Sequence, residues 1–159
     1  ANAYLNRGIA LRDFGQPAEA VADHGRAIAI QEALRQALGD DWPPGFRDGL
    51  AKTYMNRGNA RQRLNQLAEA VADYDCAIKI REALRQALGD DWPPAFRNDL
   101  ANTYRNRALV LEKRGQLADA AADRARANEI DPQESPDKLL MHRLRTWIVK
   151  LFQGWRTRS

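Results

Sequence analysis

Laid against itself, the chain repeats with a period of 50 residues: 1–50 superimposes on 51–100 without a gap, and about 32 of those 50 positions are identical. The run Glu32-Ala33-Leu34-Arg35-Gln36-Ala37-Leu38-Gly39-Asp40-Asp41-Trp42-Pro43-Pro44 returns unchanged as Glu82 to Pro94. A third copy starts at Ala101 and fades after Ile130. Such a period signifies a stack of supersecondary units that bury their apolar faces against one another rather than in private cores. A stack offers an extended binding surface and argues against a catalytic pocket.

Composition narrows the reading further. The net charge is only +4, although the sequence pI is near 9.5. A bias this weak suits an anionic partner, but an evenly solvated surface accounts for it just as well and is preferred. Cys76 is the single cysteine, which excludes a disulfide framework and a thiolate cluster. His24 and His142 lack the spacing of a metal pair. No apolar run reaches membrane-spanning length and no signal-peptide pattern occurs, so the cytoplasm is the expected compartment. In the register of the repeat, Ala1 corresponds to Ala51 and Ala101, in mid-helix, and no Trp-Pro-Pro precedes it. The chain is therefore expected to be a piece of a longer array, with an open N-terminal edge that could support self-association.

Each copy reads as two antiparallel helices. In the second, Phe46, Leu50, Tyr54, Gly58 and Leu64 recur at helical spacing and predict a helix from about Pro44 to Leu64. Asn65, matched by Gly15 and Gly115, is the break, because Gly and Asn accept the left-handed turn that ends a helix. A second helix is predicted from about Leu67 to Leu88, with Ala70, Tyr74, Ala77, Ile78, Leu84 and Leu88 on one stripe. Gly89 closes it. Asp90-Asp91-Trp92-Pro93-Pro94 forms the link, since proline disfavours a helical residue before it and suits a helix's first turn. Trp92 and Phe96 are placed to stack over the start of the next helix, and Trp42 with Phe46 repeats the device. The paired acids Asp40-Asp41 and Asp90-Asp91 read as solvated links rather than a metal site. Cys76, among Ala and Ile, is expected to be a small packing residue.

The third copy ends early, at Asp131-Pro132. Ser135-Pro136 offers a cap and a first-turn proline, and 137–155 carries Leu140, Leu144, Trp147, Ile148, Leu151 and Trp155 on one stripe. This segment is expected to be an amphipathic helix capping the array near Ala121 and Ala125, with a membrane surface as the alternative. The divisions are thus 1–50, with its first helix truncated, 51–100, 101–134, and a C-terminal segment 135–159.

Tyr4, Gly8, Leu11, Gly15, Ala20 and Ala27 share a frame with Tyr54, Gly58, Asn65, Ala70, Tyr74 and Ala77, and with Tyr104, Ala108, Leu111, Gly115, Ala120, Ala127 and Pro132. That frame resembles the tetratricopeptide repeat. The resemblance implies an all-α fold, a right-handed superhelical stack of antiparallel helix pairs forming a solenoid. The period exceeds the usual 34 residues by about 16, close to two extra turns per helix, or roughly 12 Å. In this elongation the chain resembles the long repeats of kinesin light chains and similar bacterial tetratricopeptide proteins. Arg7, Arg57 and Arg107 stand where the family prefers Leu. An unpaired arginine bordering the packed side would cost several kcal/mol, and Asp23, Asp73 and Asp123 are its expected partners.

The face opposite Tyr4, Gly8 and Leu11 carries Asn2, Lys52 and Asn102; Leu5, Met55 and Arg105; Asn6, Asn56 and Asn106; and Ile9, Asn59 and Leu109. The resemblance makes this face the lining of a concave groove. Stacking would set the carboxamides of Asn6, Asn56 and Asn106 in a row, and each offers donors and an acceptor to an extended peptide backbone. Kinesin-light-chain-like repeats carry a similar ladder. The alternative is that these asparagines bond to neighbouring helices and serve stacking alone. The carboxylate clamp of chaperone-binding relatives is resembled only in part, by Lys52, Asn56 and Asn59, although Arg105 and the ladder could hold an acidic peptide.

No Ser, His and acid grouping and no Gly-rich phosphate loop occurs. The expected function is that of a non-enzymatic scaffold binding a peptide or protein segment in the groove, without cofactor or metal. A nucleic-acid-binding helical repeat is the alternative, against which the groove lacks an aromatic platform for bases. A regulatory domain of an enzyme whose catalytic part lies outside this chain is the other.

Overall fold

The structure, a computed structural model, describes residues 1–132. Six helices follow in order: α1 Asn2–Asp13, α2 Pro17–Leu38, α3 Pro44–Arg63, α4 Leu67–Leu88, α5 Pro94–Lys113 and α6 Leu117–Ile130, with short 3-10 turns at Gly39–Asp41 and Gly89–Asp91. They pair as α1/α2, α3/α4 and α5/α6, and no strand occurs among the described residues. The bounds expected for the second repeat are met within one residue. Pro44 and Pro94 occupy the first helical position after extended Pro43 and Pro93, where the missing N–H removes no helical bond. The capping segment expected at 137–155 lies outside the described residues.

The turn within each pair has the same construction. Gly15, Asn65 and Gly115 take φ of 79°, 59° and 76°. The N–H groups of Gln16, Gln66 and Gln116 donate back to the carbonyls of Leu11, Arg61 and Leu111 at 2.8, 2.9 and 2.9 Å. This paired-bond ending satisfies carbonyls that the helix leaves open and requires a left-handed residue between. Small residues then let the two helices close up. A Cβ on Gly8 would lie 2.6 Å from Cε1 of His24, and one on Gly58 would lie 2.8 Å from Cε1 of Tyr74. The third repeat has Arg124 in place of the ring and accordingly tolerates Ala108.

Between repeats the link tryptophans fill the joint. Trp42, 4% exposed, clusters with Ile28 and Leu50, with Tyr54 and Ile80 against them. Trp92 clusters with Ile78, Leu100, Tyr104 and Ile130, and Leu88 and Phe96 pack against it. Burying such a side chain contributes about 2–3 kcal/mol before ordering costs. Phe46 departs from expectation, being 54% exposed instead of stacked on its tryptophan. Leu38, the counterpart of Leu88, is itself exposed, so the aliphatic wall that holds Phe96 is missing. Cys76 also departs: it is exposed, because the buried stripe of α4 runs through Asp73, Tyr74, Ala77 and Ile78 and position 76 falls beside it.

The three arginines find the expected partners. Arg7 donates to Asp23 at 2.5 and 2.7 Å, Arg57 to Asp73 at 2.6 to 3.2 Å, and Arg107 to Asp123 at 2.6 and 2.7 Å. A guanidinium fork matches a carboxylate in this way. Each guanidinium also lies over the tyrosine of its own helix, Tyr4, Tyr54 or Tyr104, at 5.6, 5.4 and 5.5 Å. The Arg7 hydrogen bond holds the Asp23 carboxyl below its usual range. The repeat thus replaces an apolar contact by a Tyr–Arg–Asp sandwich.

Curvature follows from which helices touch. The backbone of α3 comes close to those of both α1 and α5, whereas α4 meets α2 and α6 only through side chains, as where Ile80 packs on the Ile28 cluster and Arg126 faces Glu82. The first helices of the pairs therefore form the inner, concave layer, and the second helices splay on the convex side.

Candidate functional site

The inner layer presents the face that the sequence singled out. Asn2 and Asn6 on α1 are exposed, as are Lys52 on α3 and Asn102 on α5, while Asn59, Arg105 and Asn106 are half-buried. Asn56 is only 6% exposed, yet its carboxamide makes no hydrogen bond with a described residue. A carboxamide offers two donors and an acceptor, so α3 holds an unused polar group close under the surface of the concave side.

Some of these side chains are brought together. The Oδ1 of Asn59 accepts from the Tyr74 hydroxyl at 2.8 Å and from Nδ2 of Asn106 at 3.3 Å. This ties α3 to α4 and to α5, and it is a structural use of two of the expected residues. Arg105 donates to Oδ1 of Asn102 at 3.0 Å, to Asp131 Oδ2 at 3.1 Å and to the Asp131 carbonyl at 2.6 Å. Its guanidinium therefore already faces a carboxylate. Nζ of Lys52 lies 3.4 Å from Asp99 Oδ2. Asn6 makes no hydrogen bond to Asn56; in hydrogen-bonding terms the row is interrupted.

Asp99 leads to a group that sequence reasoning missed. Arg81 of α4 is 0% exposed and passes between α3 and α5. It donates to Asp48 at 2.9 Å, to the Thr103 hydroxyl at 2.7 Å and to the Asp99 carbonyl at 3.2 Å, with the Asp99 carboxylate at 3.5 Å. A buried guanidinium is tolerated only when its donors are satisfied in this way. The signal lay in the repeat itself: where the second joint has Arg81 and Asp99, the first has Gln31 and Gly49. A Cβ on Gly49 would lie 3.6 Å from Nε2 of Gln31, so the two positions face each other and changed together. Lys52, Asp99, Arg81 and Asp48 form one charged chain running from the groove into the second joint.

Among the described residues, no three His, Cys, Asp or Glu side chains are grouped to hold a metal ion. No helix among them is long and apolar enough to cross a membrane. Family models of the tetratricopeptide repeat match the chain over residues 1–41 and again over residues 51–84. Comparison with curated proteins finds no match.

Proposed function

Because the chain is a tetratricopeptide-repeat protein, we propose that it is a scaffold whose concave side binds an extended peptide or protein segment. Tetratricopeptide repeats commonly serve as protein-interaction scaffolds. The observation that carries the reading is Asn56 on the inner layer, nearly covered and with no hydrogen-bond partner among the described residues. A peptide backbone laid along α3 would meet its carboxamide and, beside it, Lys52, whose ammonium suits an acidic residue of the ligand. Asn2, Asn6 and Asn102 extend the same polar surface to the neighbouring repeats.

The test is a selection of ten-residue peptides from a random display library against the chain, followed by titration of the strongest binder. Asn56→Ala should weaken that peptide by about 1–2 kcal/mol, roughly 5- to 30-fold, while the melting temperature stays within a few degrees. Equal losses of affinity and stability would make the residue structural and refute the reading. Self-association belongs to the same proposal. Leu34 of the first repeat is 38% exposed where its counterpart Leu84 is 1% exposed, which leaves an apolar stripe with Ile30 and Leu38 on α2. Sedimentation should show mass rising with concentration, and Leu34→Gln should abolish the rise; a monomer at every concentration would rule this out.

A further inference from the structure

The groove and the second joint share one carboxylate. Oδ2 of Asp99 lies 3.4 Å from Nζ of Lys52 and 3.5 Å from a terminal nitrogen, Nη2, of Arg81. A charge-assisted N–H···O bond closes at about 2.7–2.9 Å, so this oxygen is drawn toward two cations and meets neither at full strength. The Lys52 side chain is 45% exposed on the inner layer, whereas Arg81 is sealed in the joint. Asp48 holds Nε of Arg81 at 2.9 Å, which leaves Nη2 to Asp99. The Asp99 backbone is anchored, its carbonyl accepting from the Thr103 hydroxyl at 2.7 Å and from Nη1 of Arg81 at 3.2 Å. Turning the side chain alone is therefore enough to carry the carboxylate from one cation to the other.

The two contacts differ in strength. An ion pair as open to water as that of Lys52 contributes little, while a guanidinium removed from water gains more from a closed bond. The set is also confined to one joint. In the register of the repeat, Lys52, Arg81 and Asp99 correspond to Asn2, Gln31 and Gly49, so all three charges are absent together from the first joint. At this position of the inner layer one ammonium stands between two carboxamides, Asn2 and Asn102.

We propose that Asp99 is an internal competitor for the groove: it occupies Lys52 in the free chain, and a carboxylate of the bound segment displaces it toward Arg81. The inference rests on the peptide-binding reading above and adds the residue against which a ligand's acid must compete. Asp99 weakens an acidic segment in two ways, by neutralising Lys52 and by repelling the incoming carboxylate. Its retreat is made easier by the bond it closes with Arg81. The same movement ties α5 more firmly to α4, so a filled groove and a tight second joint accompany each other.

The probe is the strongest ten-residue binder from the library selection, beside the same peptide with each Asp or Glu replaced by its amide. The binder should contain an acidic residue whose amide form loses at least tenfold in affinity on the unaltered chain, by titration calorimetry. Asp99→Asn keeps an oxygen that accepts from Arg81 and removes the competing charge. It should tighten the acidic peptide at least threefold while lowering the melting temperature, a gain that a merely structural residue would not give, and leave the amide peptide within twofold. A second readout needs no variant: at saturation the acidic peptide should slow amide hydrogen exchange over residues 97–103 more than the amide peptide does. Acidic-peptide affinity that is unchanged or weaker in Asp99→Asn, equal protection by the two peptides, or a binder without an acidic residue overturns this inference and leaves the groove reading standing. A library without binders removes both.

Discussion

His24 makes the first repeat sensitive to acid. Its imidazole is fully buried against Gly8, and neither ring nitrogen has a partner. Burial is the main reason its pKa falls to about 4; Arg12 and Arg57 also oppose protonation, and Asp23 and Asp73 only partly offset them. The unfolded chain takes up the proton near the ordinary value of about 6.5. A base whose folded pKa is depressed loses stability as pH falls between those two values, because protons favour the unfolded state. Every tenfold loss of proton affinity on folding corresponds to about 1.4 kcal/mol, so the full loss of stability is roughly 3–4 kcal/mol, of which about 2 kcal/mol accrues between pH 7 and 4.5. His24→Phe should remove this dependence. A six-membered ring fits the frame, as Tyr74 over Gly58 demonstrates, and Phe avoids a hydroxyl that would face Ile9 where the second repeat has Asn59. Urea melts at pH 7, 6, 5 and 4.5 should converge or cross for the two chains by that amount. His142 and the Asp23 ion pair are common to both and cancel in the difference. The imidazole protons of His24 should show no titration above pH 5. Parallel melts, or an imidazole titrating near 6.5, would refute the reasoning.

Two further substitutions follow from the turns and the buried charges. Asn65 alone among the three turn residues carries a side chain at positive φ, so Asn65→Gly should raise stability by up to about 1 kcal/mol, read from the urea midpoint. Arg81→Gln should lower stability by about 3–5 kcal/mol, because buried Asp48 is left without its cation and Asp99 keeps only Lys52. Adding Asp99→Gly and Asp48→Asn, which installs the residues found at the other joint or the next copy, should recover most of that loss.

The helices and their turns were legible because each repeat states them again: Pro at the helix start, Gly or Asn at the turn, and an Ala and ring pattern at 3.6-residue spacing. The Arg–Asp pairs could be named because position 7 and position 23 of every copy carried opposite charges where an apolar residue was expected. What could not be read was where copies differ in surroundings and not in sequence. Trp42-Pro-Pro-x-Phe46 is the same motif as Trp92-Pro-Pro-x-Phe96, yet one phenylalanine is exposed and the other packed. The burial of Asn56 beside exposed Asn6 has the same origin, since among the described helices only α3 has an inner-layer neighbour on each side. Arg81 was hidden for another reason: one guanidinium in an arginine-rich chain carries no mark of burial until its aspartates are located in space.

Copies this alike pose a hazard of assembly. With about 32 of 50 positions shared between the first two repeats, a hairpin could dock on the wrong neighbour, within one chain or between two emerging chains, at little loss of apolar contact. The unlike polar fillings of the two joints act as keys against that error. α2 set against α5 would leave Asp99 facing Gln31 with no cation, and α4 set against a second copy's α3 would bring Arg81 to Gly49, where its second carboxylate is absent. The first mistake leaves a carboxylate without a cation and the second leaves Arg81 with Asp48 alone, while the native order supplies both partners. The order in which the units stack is thereby written into a few polar positions of an otherwise interchangeable array.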